Sequence, residues 1–197
     1  MLNRIILAAA SVVAFAAAAN AADMYRAPAG GYKDVPYVGV NWSGLYAGVN
    51  GGYGEVSENT NINGGFGGGQ IGYNIQRGNI VFGGEADIQG ANITTSGAPS
   101  VDYFGTVRAR AGYAIDRALV YGTGGFAYGG SNNSNTAHNT GDGWVAGGGV
   151  EYKLNPTWSV KGEYQHLEFT SDTPKTGIDT FRIGVNYFVG GGYDPLK

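Results

Sequence analysis

The sequence has no cysteine, only two histidines and little charge. Charged residues make up 14% of its 197 positions, against roughly 25% in ordinary soluble domains. Without cysteine there is no disulfide staple and no thiolate ligand for a metal. The formal charge of -3 argues against a nucleic-acid binder and excludes a polybasic patch for membrane surfaces. Beyond the first two dozen residues no stretch approaches the ~18 apolar residues that a membrane helix needs. Glycine is abundant instead, at 37 residues. It has no period of three, which excludes collagen, and an aromatic content of 13% excludes a disordered chain.

The first stretch, MLNRIILAAASVVAFAAAANAAD, joins a positive Arg4 to an apolar segment from Ile5 to Ala19. An Ala19-Asn20-Ala21 site then follows, and this is the pattern of a cleaved secretory signal peptide over residues 1–21. Export follows from it, and any later crossing of a bilayer must be made by strands. Residues 22–41 carry Pro28, Pro36 and a Gly30-Gly31 pair and read as an irregular periplasmic leader.

From Trp42 a period of two takes over and holds to Val189. Eight runs of about ten residues alternate apolar with small or polar side chains. In the third, IVFGGEADIQ, Ile80, Phe82, Ala86 and Ile88 oppose Glu85, Asp87 and Gln89. In the fourth, Val107, Ala109, Ala111 and Tyr113 oppose Arg108 and Arg110. The turn pairs Gly78-Asn79, Asp116-Arg117 and Asn155-Pro156 make three tight connections. Four others, near 55–64, 91–102, 130–142 and 169–177, are long and polar. An even strand number, with short turns at one end and long loops at the other, predicts an all-β, eight-stranded, antiparallel, up-and-down transmembrane barrel over 42–189. Residues 190–197 are then a short extension.

The aromatic residues decide which face meets lipid. Tyr53, Tyr73, Tyr113, Tyr152, Tyr187, Trp144 and Trp158 lie near run ends on the apolar face, as interfacial girdles require. The charged face therefore points inward. Eight strands leave room only for side chains. Counted from the tight turns, Glu85, Asp87, Arg108, Arg110, Glu151, Lys161, Glu163 and Arg182 fall at mid-depth. This count sets Glu85 level with Arg110 and Asp87 level with Arg108. A balanced set of this kind is expected to plug the lumen. Lys153, nearer the turns, is expected to reach water.

These residues resemble a known family. GWVAGGGVEYKLNPTWSVKGEYQ is similar to the sixth and seventh strands of small OmpA-like barrels. GTVRARAGYAIDRALVYGTGGFAYG and the Pro/Tyr leader resemble the outer-membrane immunogenic proteins of alphaproteobacteria. The resemblance implies an abundant, surface-exposed barrel of the outer membrane, with roles in envelope integrity and host contact through its loops. Some relatives are described as haem binders or porins, so a narrow or gated channel and a haem- or ligand-binding surface protein are the alternatives. Arg182, Gly184, Tyr187, Phe188 and Val189 resemble the signal read by the barrel-assembly machinery, except that GGGYDPLK follows it here. The expected partners are outer-membrane lipid, that machinery, and host or envelope ligands on the loops.

Other motifs carry little. GGGQIG (67–72) fits a dinucleotide fingerprint in spacing, but it sits within a strand run with no helix after it. Glu85 and Asp87 form a carboxylate pair without the solvent access or cleft that catalysis requires. His138 has Ser134 and Asp142 nearby in a polar loop, and His166 lies at the outer end of the seventh run. Asn92-Ile-Thr and Asn132-Asn-Ser match the glycosylation pattern but say nothing in a bacterial envelope. No enzyme, cofactor or metal site is expected.

Overall fold

The structure is a computed structural model, and it describes residues 40–56, 63–93, 101–130, 140–169 and 176–189. Eight strands follow one another among the described residues. They are β1 (Gly44–Val56), β2 (Asn63–Arg77), β3 (Ile80–Ile93), β4 (Val101–Ile115), β5 (Ala118–Gly130), β6 (Thr140–Lys153), β7 (Trp158–Phe169) and β8 (Thr176–Val189). Each pairs antiparallel with its sequence neighbours, and β1 pairs with β8, which closes the barrel without a free edge.

The strands run to between 12 and 15 residues, longer than the ten-residue runs. The ladder continues past the apolar belt that marks lipid contact. The long connections shrink accordingly to 57–62, 94–100, 131–139 and 170–175, and these fall outside the described residues, as do 1–39, 190–197 and His138.

Alternation sorts the side chains. Val49, Ile71, Phe82, Val107, Phe126 and Ile183 lie outward and exposed, where lipid covers them. Tyr73, Tyr113, Trp158 and Tyr187 ring the short-turn end, and Tyr53, Tyr103, Tyr128 and Trp144 the opposite end. Trp158 and Tyr187 sit edge to face at 5.1 Å across the β7–β8 pair.

The tight turns set the periplasmic end. Gly78 takes a φ of +60° and Asp116 one of 52°, the left-handed conformation such turns demand. In the third turn Asn155 Oδ1 accepts hydrogen bonds from the amides of Thr157 and Trp158, at 2.9 and 2.8 Å. Inward glycines let the narrow wall close. A Cβ on Gly125 would fall on the carbonyl oxygen of Val107, and one on Gly68 on that of Ile88.

Candidate functional site

The eight charged residues read from the sequence meet at the centre of the lumen. Glu85 and Asp87 come from β3, Arg108 and Arg110 from β4, Glu151 from β6, Lys161 and Glu163 from β7, and Arg182 from β8. Every one is buried. Glu85 is the hub. Lys161 Nζ lies 2.8 Å from both its oxygens, Tyr46 donates its hydroxyl at 2.8 Å, and Arg108 donates through Nη2. Arg182 approaches the same carboxylate at 3.5 Å and Arg110 at 3.6 Å. Asp87 Oδ2 accepts from Arg108 at 2.8 Å, Arg182 at 3.0 Å and the Thr106 hydroxyl at 2.7 Å. Glu163 takes Arg108 and Arg182, each at 2.6 Å, and the Tyr121 hydroxyl at 2.5 Å. Glu151 takes Arg110 at 2.6 Å, Ser159 at 2.5 Å and Asn186 at 2.8 Å. Four acids thus face four bases in a medium where an unmatched charge costs several kcal/mol, roughly. Each carboxylate has multiple donors, which is what makes such a network tenable.

The backbone register differs from the count along the chain, although Asp87 does meet Arg108 at 2.8 Å and Glu85 lies 3.6 Å from Arg110. Glu85 sits opposite Arg108 on the adjacent strand, and Asp87 opposite Thr106. The cause is stagger. Ile80 pairs with Tyr113, two positions short of the end of β4, as strand tilt in a closed barrel requires. Arg110 therefore sits one rung nearer the periplasm, where it meets Glu151.

Apolar layers lie on both sides of the network. Towards the periplasm, Trp42, Tyr46, Val81, Ala114, Leu119, Tyr121 and Phe188 form one cluster. Towards the outside, Phe66, Phe104, Ala127, Val145 and Leu167 form another, with Ile178 against it. Sequence reasoning passed over these inward residues. It also passed over the two tyrosines that bond the network. Strand parity was available as a signal, because Tyr46 shares the inward parity of Gly48 and Asn50, and Tyr121 lies opposite in parity to Val120.

Lys153 departs from expectation as well. It is 2% exposed and does not reach water. Its ammonium lies 3.9 Å from the ring centre of Phe188 and 5.3 Å from that of Trp42, and it donates to the carbonyl oxygen of Asn41 at 2.8 Å. Residues Asn41 and Trp42, just ahead of β1, lie over it. The assembly-signal residues divide between faces. Tyr187 and Val189 point to lipid, whereas Phe188 and Arg182 are buried in the lumen.

Outside the lumen, His166 pairs through Nδ1 with Asp179 at 2.8 Å, and Tyr164 donates to the same oxygen at 2.7 Å. The imidazole lies 5.6 Å from the Trp144 ring, at the interfacial end of the outer face. Glu85 and Asp87, by contrast, are committed to cations and closed off from solvent, so their proximity serves charge pairing. The GGGQIG segment lies wholly within β2.

Comparison with known proteins agrees with this architecture. The family described as outer membrane protein beta-barrel domain matches residues 5–188. A 31 kDa outer-membrane immunogenic protein of Brucella melitensis is 34% identical, over 94% of this chain and 99% of its own length. A 25 kDa outer-membrane immunogenic protein of the same organism is 28% identical, with 94% and 98% covered. In structure, the barrel is similar to Neisserial surface protein A, with a TM-score of 0.55 at 16% identity, covering 75% of this chain and 98% of that one. It is also similar to the attachment invasion locus protein Ail of Yersinia pestis, with a TM-score of 0.50 at 16% identity, covering 73% and 98%. At such identity these two show the fold alone. The closed eight-stranded barrel, its lipid-facing girdles and its matched family and relatives place the chain in the outer membrane, as a member of the outer-membrane immunogenic protein family of alphaproteobacteria.

Proposed function

We propose that this barrel is a closed scaffold that contributes to envelope integrity and carries its four long connections outward for contact with a host or the environment. One observation supports the reading above others: the lumen is filled across its middle by a charge-balanced network, with apolar layers above and below it. A barrel whose interior is occupied in this way offers no wide path for solutes, so its working surface is the outside. The role is structural and adhesive, not catalytic, because the acids at mid-lumen are buried and engaged by cations.

Two further steps belong to the reading. The signal peptide is removed after Ala21, and the barrel-assembly machinery reads β8 through the outward-facing Tyr187 and Val189. Sequencing of the mature N-terminus should then begin at Ala22.

A strain lacking the protein tests the main claim. It should become more sensitive to detergent, and a barrel with all four long connections shortened should restore resistance without restoring adhesion to host or abiotic surfaces. Unchanged detergent sensitivity would remove the envelope role. Full adhesion by the shortened barrel would remove the contact role.

A further inference from the structure

Residues 40–43 lie ahead of β1 and outside the ladder, yet they reach one tight turn directly and the other two through a single bridging side chain each. The backbone amide of Trp42 donates to Gln76 Oε1 at 2.6 Å, and Gln76 Nε2 donates to the Gly78 carbonyl at 2.8 Å. The Gln76 amide donates to Ser43 Oγ at 2.9 Å. The Trp42 indole reaches the Asp116 carbonyl of the second turn at 3.4 Å. Lys153 joins the Asn41 carbonyl to that of Pro156 in the third turn, at 2.8 and 3.3 Å. The chain enters this path at Gly44, whose φ of +128° is one that side-chain-bearing residues rarely adopt.

The side chain carried across the mouth is fully buried. Trp42 packs edge-on against Phe188 at 6.1 Å, and Phe188 stacks against Tyr46 at 5.2 Å. Trp42 thus bridges the segment before the first strand to the last strand, over the seam where the barrel closes. Its hydrogen bonds go to Gln76 and to the Asp116 carbonyl of the second turn, not to the eight charged groups. Side-chain hydrogen bonds and one indole can be released without breaking a single rung of the sheet, whereas the mid-lumen network is built into the walls.

We infer that residues 40–43 form a periplasmic door, with Trp42 as its bolt, in series with and separable from the charged plug. Opening the door exposes the lower apolar layer and leaves the plug in place. The inference does not rest on the surface role proposed above, because its readout is local accessibility, not adhesion or envelope strength.

The absence of native cysteine makes the test direct. Ala114 lines the lower layer and Ala127 the upper one, and both are buried. Full-length barrels carrying Ala114→Cys or Ala127→Cys, with and without Trp42→Ala, are reconstituted in vesicles. Folding is checked by heat-dependent gel migration, and the proteins are reacted with a small charged methanethiosulfonate. The door predicts slow labelling of both cysteines when Trp42 is present. With Trp42→Ala, labelling at position 114 should rise at least tenfold while labelling at position 127 stays slow. Fast labelling at 114 with Trp42 intact, or no change on its removal, overturns the door. An equal rise at 127 overturns its separability from the plug. If the Trp42→Ala barrel does not fold, Gln76→Ala with Ser43→Ala strips the segment of its hydrogen bonds and should raise labelling at 114 in the same direction; an unchanged rate there overturns the inference too.

Discussion

Replacing Glu85 by glutamine keeps the shape of the hub and removes its charge. Lys161, Arg108, Arg182 and Arg110 all lie within 3.6 Å of that carboxylate or closer. After the change these four cations share only Asp87, Glu151 and Glu163, and Tyr46 faces an amide in place of a carboxylate. Removing one partner of a buried pair costs about 3–5 kcal/mol, because the other charge is left uncompensated. With a urea slope of about 2 kcal/mol per molar, the unfolding midpoint should fall by roughly 1.5–2.5 M. The assay is equilibrium unfolding in lipid vesicles, followed by tryptophan fluorescence; Trp144 and Trp158 on the outer face report insertion. A second variant sharpens the test. Lys161→Met placed on Glu85→Gln removes the stranded cation that had bonded both oxygens of the carboxylate, so the double variant should recover part of the loss, with a coupling of about 1–3 kcal/mol. A midpoint unchanged by Glu85→Gln, or strictly additive losses in the double variant, would refute the claim that these charges hold one another.

Three other outcomes follow. Gly125→Ala should sharply reduce the folded fraction on heat-dependent gel migration, because its Cβ would land on the Val107 carbonyl, whereas Gly162→Ala, with no atom within 4 Å of its Cβ, should fold normally. Ile183→Arg places a charge on the lipid face and should cost about 2–4 kcal/mol if the site lies near mid-bilayer, read by the same unfolding assay. Gln89 is fully buried with neither amide atom partnered among the described residues, so Gln89→Leu should leave the midpoint unchanged or raise it, since an unsatisfied buried amide is a cost of about 1–3 kcal/mol.

The strands and their two faces were legible because lipid imposes a strict period of two on one side, and residues such as Ile71, Phe82 and Ile183 obey it. The inward position of the charges was legible for the same reason. Their partners were legible only in part: Asp87 does meet Arg108, but the register and the cross-lumen contacts to Lys161, Glu163 and Arg182 were not. Glu85 pairs in register with Arg108, and Arg110 approaches it only at 3.6 Å while bonding Glu151 at 2.6 Å, because stagger between neighbouring strands is a property of the closed barrel and not of either strand alone. The inward apolar residues, Val81, Leu119 and Phe188 below and Phe104, Val145 and Leu167 above, broke the binary pattern. In a filled lumen the side-chain chemistry changes with depth as well as with face, and a two-letter pattern records only the face. Lys153 was misjudged for a related reason: its distance from the turn was read correctly, but the covering by residues 40–43 depends on a chain path that carries no periodicity.

Single-channel recording in planar bilayers tests the closed-lumen account most directly. The intact barrel, inserted and confirmed as folded, should give no stable conductance steps, and Trp42→Ala should stay equally silent because the charged plug remains. Large, stable steps from the unaltered protein would contradict a filled lumen and return the barrel to the class of open pores.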